Sequence, residues 1–359
     1  MMAKTGLIGL IAFLIGLMAL VYTNTSASTQ PVSLNHASWF DLKERLPESY
    51  QQERTKFRGF VAHDSGLYFL IVAKPGNGQE FMIVHTDLNG RLLKRILMPG
   101  ERESTARRSI LEMSVDDNGN CYVLQTIKDS SGRRVEFLVY DRSGNARNTL
   151  AVSEIVQTFC LKAESLWYLS DNNELRQMVT SPMPNTRRLE IPQLKNISDV
   201  FPKIFPLPGN RIAVLDGVSA QLYVIDQVSS DTQVFSLLQL PEVRRSWESY
   251  PTETRGPAAG NGGRVQFARA QIITGLSATP EGDIYLTISG IPFGEGAVVL
   301  RIDQQGNLVR SLRCVLPTLE TRRSADNPEG YAGSFGLIGT TGSYLFVAGA
   351  DGDVLSYQR

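Results

Sequence analysis

One turn-and-strand unit recurs six times along the chain, and this recurrence constrains the fold more than any other feature. Its clearest copy runs from Ala278 to Arg313. The turn Pro280-Glu281-Gly282-Asp283 feeds the apolar run Ile284-Tyr285-Leu286-Thr287-Ile288. A Gly-rich loop precedes a second run, Ala297 to Ile302. Asp303-Gln304-Gln305-Gly306-Asn307 then turns the chain into Leu308–Leu312. Short runs rich in β-branched and aromatic residues, bounded by Gly, Pro, Asn and Asp, read as antiparallel strands joined by hairpins. The other copies are DSGLYFLIV (64–72), DDNGNCYVL (116–124), AESLWYL (163–169), LPGNRIAVL (207–215) and TTGSYLFVA (340–348).

A second marker is a strand ending in Asp with Gly three residues on: Asp87 and Gly90, Asp141 and Gly144, Asp303 and Gly306. Asp226 keeps the acid and loses the Gly. An Asp that opens a turn caps backbone N–H groups, and Gly supplies the left-handed conformation that returns the strand. Each unit is then a four-stranded meander. Recurrence at about 45 to 75 residues is blade spacing, too long for most solenoids. One such sheet cannot bury both its faces; six around an axis can. The sequence therefore predicts an all-β, six-bladed β-propeller over 57–359, with blades near 57–100, 108–151, 155–192, 200–238, 268–314 and 333–359.

The last repeat supplies only three strands, near 335–338, 344–348 and 354–357. A bare sheet edge is a liability. Residues 29–56 are read as a linker with a ring-closing strand: a segment around Pro31–Leu42 is expected beside Val354–Tyr357.

Residues 1–28 read as an export signal. Leu7–Tyr22 is apolar apart from glycines, Lys4 precedes it, and small polar residues follow. Thr25 and Ala27 form a cleavage site for a removable signal peptide. A signal anchor stands beside that reading, although the run of about 16 residues is short of the ~20 a full span needs, so it would have to span without tilt. Either way the propeller is expected to be periplasmic or extracellular, touching membrane only through this segment.

Lys and Arg number 36, as do Asp and Glu. This balance argues against a nucleic-acid partner, whose phosphates demand a basic face. The doublets Arg107-Arg108, Arg133-Arg134, Arg187-Arg188, Arg244-Arg245 and Arg322-Arg323 are read as solvated surface at turns. Cys121, Cys160 and Cys314 are too few for a disulfide framework. Cys121 reads as a small buried residue, with a Cys121–Cys160 bridge left open.

The lines VDDNGNCYV, VYDRSGN, ATPEGDIYL and LRIDQQGNLV resemble the NHL-type and related six-bladed propellers of bacterial exported proteins, over residues 57 to 359. That resemblance implies binding or scaffolding. The group neighbours the SMP-30/gluconolactonase-like lactonases, which imply a channel metal; their functional motifs have no counterpart that can be placed here.

No other constellation points to catalysis. The three histidines, His36, His63 and His85, lie early, without zinc-site spacing. Asp116–Asn120 lacks the closing Glu of a calcium loop and reads as a hairpin turn, as does Asp351-Gly352-Asp353. There is no nucleophile-elbow motif; His63 is placed to reach the channel but reads as a turn histidine. Gly260–Gly263 lacks a phosphate-loop ending. No cofactor is implied, with channel calcium left open. The two longest insertions, Pro241–Ala270 and Pro317–Gly333, and the loop Ser289–Gly296 carry Trp247, Tyr250, Arg255, Arg264, Phe267, Phe293, Arg322 and Tyr331. Aromatics and Arg anchor interfaces, and long loops in compact folds carry function. The expectation is a non-catalytic module binding a protein, peptide or glycan through these residues on one face. The alternative is a lactonase-like metal-dependent hydrolase.

Overall fold

The computed structural model describes residues 32–34, 38–51, 55–73, 80–98, 107–179, 185–197, 202–249, 273–288, 297–314, 335–349 and 352–359. Two short strands come first, β1 (Val32–Leu34) and β2 (Ser38–Asp41). Blade 1 is β3 (Lys56–His63), β4 (Gly66–Ala73), β5 (Glu80–Thr86) and β6 (Leu92–Leu97). Blade 2 is β7 (Arg107–Val115), β8 (Cys121–Asp129), β9 (Gly132–Tyr140) and β10 (Ala146–Val152). Blade 3 is β11 (Val156–Lys162), β12 (Ser165–Ser170), β13 (Leu175–Val179) and β14 (Asn185–Leu189). Blade 4 is β15 (Lys203–Leu207), β16 (Arg211–Asp216), β17 (Gln221–Asp226) and β18 (Thr232–Ser236). Blade 5 is β19 (Ile273–Ala278), β20 (Ile284–Ile288), β21 (Ala297–Ile302) and β22 (Leu308–Cys314). Blade 6 holds β23 (Phe335–Thr341), β24 (Tyr344–Gly349) and β25 (Asp353–Gln358). The first strands touch in succession, β3 to β7, β11, β15, β19 and β23, and β23 touches β3. The ring is closed, and the protein is a mainly-β, six-bladed β-propeller.

Burial follows from that arrangement. A blade's second strand has a sheet neighbour on each side and a blade against each face. Such strands read as continuous apolar runs: Gly66–Ala73 is buried throughout, as is Ile284–Ile288. Six apolar clusters form the core, one in each gap between blades. Leu70, Met113 and Val123 meet between blades 1 and 2. Leu124, Phe159 and Tyr168 meet between blades 2 and 3. Leu286, Leu222 and Leu215 meet between blades 4 and 5.

The Asp turns explain why their Gly is fixed. Asp87 Oδ1 accepts from the N–H of Asn89 and of Arg91, at 3.0 and 2.8 Å. Asp116 and Asp303 do the same two and four residues on. Gly90, Gly119, Gly144 and Gly306 have φ of 80, 80, 82 and 77°. Three of these glycines also lie under the preceding blade's outer strand. A Cβ on Gly90 would come within 2.5 Å of the Phe40 ring, one on Gly144 within 3.0 Å of Ile96, and one on Gly306 within 2.9 Å of Phe235. The motif therefore shapes the turn and seats it against the neighbouring blade.

The sixth blade takes its fourth strand from the start of the chain. β2 runs antiparallel to β25, with Ser38 opposite Ser356 and Asp41 opposite Asp353. Phe40, Leu42 and Leu46 are buried in the gap between blades 6 and 1. β1 adds itself in parallel to β22, Val32 opposite Leu312, making blade 5 five-stranded.

The basic doublets sit differently from the sequence reading. Arg107-Arg108 opens an inner strand, Arg133-Arg134 lies in β9 and Arg187-Arg188 in β14. Arg244-Arg245 lies in a nine-residue helix, α1 (Pro241–Ser249). These four belong to strands and a helix rather than turns, and Arg322-Arg323 lies outside the described residues; Arg187-Arg188, on an outer strand, keeps one flank in water where a guanidinium stays solvated. Cys121, Cys160 and Cys314 are buried free thiols, each in a different blade. Burial pushes the Cys121 and Cys314 thiols up to about 12, which makes them poor nucleophiles. Among the described residues no helix is long and apolar enough to cross a membrane, and Leu7–Tyr22 lies outside them.

Candidate functional site

Antiparallel alternation gives the ring two unlike faces. Links within a blade from first to second strand, and from third to fourth, emerge on one face, here the turn face. Links from second to third strand, and from each blade to the next, emerge on the other, the loop face. The turn face carries the short Asp turns. The loop face is where the chain leaves Ile288, Cys314 and Ser236 and where it re-enters at Ala297, Phe335 and Ile273. The two longest connections between strands, and the loop inside blade 5, thus start and end at the loop face around that blade.

Of the expected binding residues, Trp247 is described. It lies on α1, which a 3-10 turn (Leu237–Gln239) sets against the gap between blades 4 and 5. Val243 is fully buried there, and Trp247, half-buried, packs on the same cluster. Part of its ring is therefore committed to the fold. Tyr250, Arg255, Arg264, Phe267, Phe293, Arg322 and Tyr331 lie outside the described residues.

The axial channel is bounded by the six inner strands. Five of them carry a register shift: at Arg58, Leu111, Gln157, Thr274 and Gly336, one residue has no partner on the adjoining strand. β15 pairs without a shift. Bulges re-aim a side chain and recur beside functional sites. Arg58 is exposed and so is Leu111, at 43%. Beside them Glu112 joins three blades. Its Oε2 accepts the Thr158 hydroxyl at 2.9 Å and the Phe159 N–H at 3.0 Å, and its Oε1 pairs with Lys203 Nζ at 3.2 Å. Lys162 Nζ donates to the carbonyls of Leu207 and Arg211, 2.9 Å to the latter, tying blade 3 to blade 4. Thr340 Oγ1 donates to the Ala278 carbonyl at 2.9 Å and Thr341 Oγ1 to Asp64 Oδ1 at 2.5 Å, tying blade 6 to blades 5 and 1. Sequence reasoning missed this lining because nothing in a bulge's composition sets it apart.

The histidines form a second polar group, on the turn face of blade 1. The N–H of Ser65 donates to His63 Nδ1 at 3.1 Å, which fixes that nitrogen as an acceptor. The Ser65 hydroxyl lies 2.7 Å from the same nitrogen and 2.9 Å from the Tyr68 hydroxyl. His85 stacks on Tyr68, centroids 4.1 Å apart, and its Nε2 meets the Ser65 carbonyl at 3.0 Å. His63 thus braces its own two-residue turn. Among the described residues no group of three or more His, Cys, Asp or Glu is placed to hold a metal ion.

Burial holds the His85 imidazole below its ordinary 6.5, and the positive charges of Arg142 and Lys94 act the same way, against the Ser65 carbonyl. The unfolded chain therefore takes up the proton first. The stability present above pH 6.5 is lost as pH falls. Melting temperature is expected to drop between about pH 7 and 5, and His85→Gln to flatten that drop. An identical pH profile for the variant would contradict this account.

No protein-family model matches the sequence, and no curated protein matches it. Solved structures do share its fold. The RRP9 WD40 repeats superpose with a TM-score of 0.53 at 11% identity, covering 92% of this chain and 100% of that one. The structure of U3-55K gives a TM-score of 0.52 at 12% identity, over 91% and 100%. At such identities the likeness is one of fold alone.

Proposed function

We propose that this protein is an exported, non-catalytic binding module that engages a protein, peptide or glycan on its loop face. One observation carries the reading: the two longest connections, and the loop inside blade 5, all depart from the loop face around that blade. Long connections in a compact fold bear function more often than the scaffold does. Their residues include Tyr250, Phe267, Phe293 and Tyr331 with Arg255, Arg264 and Arg322, side chains suited to a partner part apolar and part anionic. The propeller scaffold and the resemblance of its turns to NHL-type exported propellers support it. The apolar segment 7–22 supports placement outside the cytoplasm, by a cleaved or retained signal.

Photo-crosslinking tests the reading. A crosslinking amino acid at Phe293 is expected to give a discrete adduct with a partner. The same amino acid at Asn118, on the turn face, is expected to give none. Phe293→Ala is expected to weaken capture of that partner without shifting the melting temperature. Adducts from position 118 alone would move the binding surface to the other side of the ring.

A further inference from the structure

The chain as a whole is neutral, with 36 basic and 36 acidic residues. Its axis is not. The six inner strands hold Lys56, Arg58, Arg107, Arg108, Lys162 and Lys203 against one carboxylate, Glu112. All of these cations except Lys162 sit toward the loop-face end. Lys56 opens β3, Arg107 and Arg108 open β7, and Lys203 opens β15. Blades 1 and 2 are neighbours, so Lys56, Arg58, Arg107 and Arg108 gather on one side of the channel mouth.

Lys203 is paired with Glu112, and Lys162 with two backbone carbonyls. Among the described residues, no carboxylate forms an ion pair with Lys56, Arg58, Arg107 or Arg108. Lys56, Arg58 and Arg107 are exposed. Arg108 Nε is buried and meets no hydrogen-bond partner among the described residues. Several described carboxylates on the same face are already engaged. Glu112 holds Thr158, Phe159 and Lys203. Asp216 caps the N–H groups of Val218 and Ser219 at 3.0 and 3.2 Å. Glu80 accepts the Tyr50 hydroxyl at 2.8 Å, and Glu154 the Tyr168 hydroxyl at 2.7 Å. Asp129 caps Ser131 and pairs with Arg134.

We propose that the channel mouth on the loop face is a docking site for an acidic peptide segment of a partner protein, with Lys56, Arg58 and Arg107 meeting its carboxylates. The shape of the charge favours a peptide over a nucleic acid. These cations, unpaired among the described residues, are confined to two neighbouring strand ends at one opening. A phosphate backbone calls for an extended basic track, which a neutral chain does not supply. Leu111, exposed on β7 beside Glu112, adds an apolar contact for a peptide side chain. The proposal rests on the loop-face reading and names the chemistry that face would recognise.

Fluorescence anisotropy of the full-length protein with a labelled Glu-rich peptide tests it. The Glu-rich probe is expected to bind at least about tenfold tighter than its Gln counterpart. The triple variant Lys56→Gln, Arg58→Gln, Arg107→Gln is expected to weaken it about ten- to a hundredfold. Lys94→Gln with Arg142→Gln, on the turn face, is expected to leave it unchanged. Affinity of the unaltered protein is expected to fall as salt rises from 50 to 300 mM, about one to two Debye regimes of added screening. Salt-independent binding would overturn the proposal even were the triple variant unable to fold. So would a folded triple variant that binds like the unaltered protein, or a single-stranded oligonucleotide of equal charge binding as tightly as the peptide. Crosslinks from Phe293 without acidic-peptide binding would remove the mouth and leave the loop face standing.

Discussion

Deletion of residues 1–41 is expected to abolish the cooperative melting transition, whereas deletion of residues 1–28 is expected to leave it in place. The longer deletion removes both β1 and β2. Without β2, the backbone of β25 is left open along its outer edge. Phe40, 4% exposed, also leaves the gap between blades 6 and 1, taking with it the ring that seats Gly90. Phe40→Ala alone should cost about 3–5 kcal/mol, the range for deleting a buried aromatic. For a domain of more than 300 residues that is a fall of roughly 4–7 °C in melting temperature. Differential scanning calorimetry of the two truncations and the point variant checks this. A 42–359 fragment that melts like the full chain would mean that β2 decorates the ring rather than holding it.

Gly66→Ala is expected to be the most damaging single methyl group on the turn face. Gly66 sits at φ 136°, a conformation closed to L side chains. An added Cβ would lie 2.0 Å from the Thr86 carbonyl oxygen and 2.8 Å from His85 Nε2. The first of these is backbone, held by the pairing of Leu67 with Thr86, and cannot swing aside. Strain and overpacking together should cost about 3 kcal/mol or more. Gly132→Ala makes a direct control. Its φ of 125° is also positive, but its Cβ would meet nothing within 4 Å. The gap between the two variants isolates the clash from the backbone term. Equal melting temperatures would show that the β4–β5 pairing yields locally.

The fold was legible where burial imposes a pattern. Second strands face a blade on both sides, so runs such as Leu67–Val72 and Ile284–Ile288 stand out as unbroken apolar stretches. The Asp turns stand out because a capping acid and a left-handed Gly must be three residues apart. The need for a further strand beside Val354–Tyr357 was also legible, from the shortness of the last repeat. β1 was not: three residues paired in parallel to an outer edge carry no periodicity. The axial mouth was hidden for another reason. Lys56 and Arg58 are separated from Arg107 by the rest of blade 1, and only the ring's topology gathers them. Read along the sequence, Arg107-Arg108 is one basic doublet among five. Trp247 illustrates the converse. Its position in a long insertion drew attention to it, but its neighbour Val243, four residues earlier on α1, shows that this helix face also serves the core.

The pairing of β2 with β25 has a kinetic side. Ser38 and Ser356, whose hydroxyls lie 2.8 Å apart, are separated by 318 residues. A hairpin closes a loop of about 10 residues; reaching 318 takes about five doublings, or about 3 kcal/mol of extra closure entropy. Contacts at that separation form late and slow the overall rate. During synthesis, β2 must wait for β25, more than 300 residues later, and until then blades 1 and 6 expose unmatched flanks. The same join that completes the ring therefore sets the interval in which the newborn chain is most exposed to aggregation.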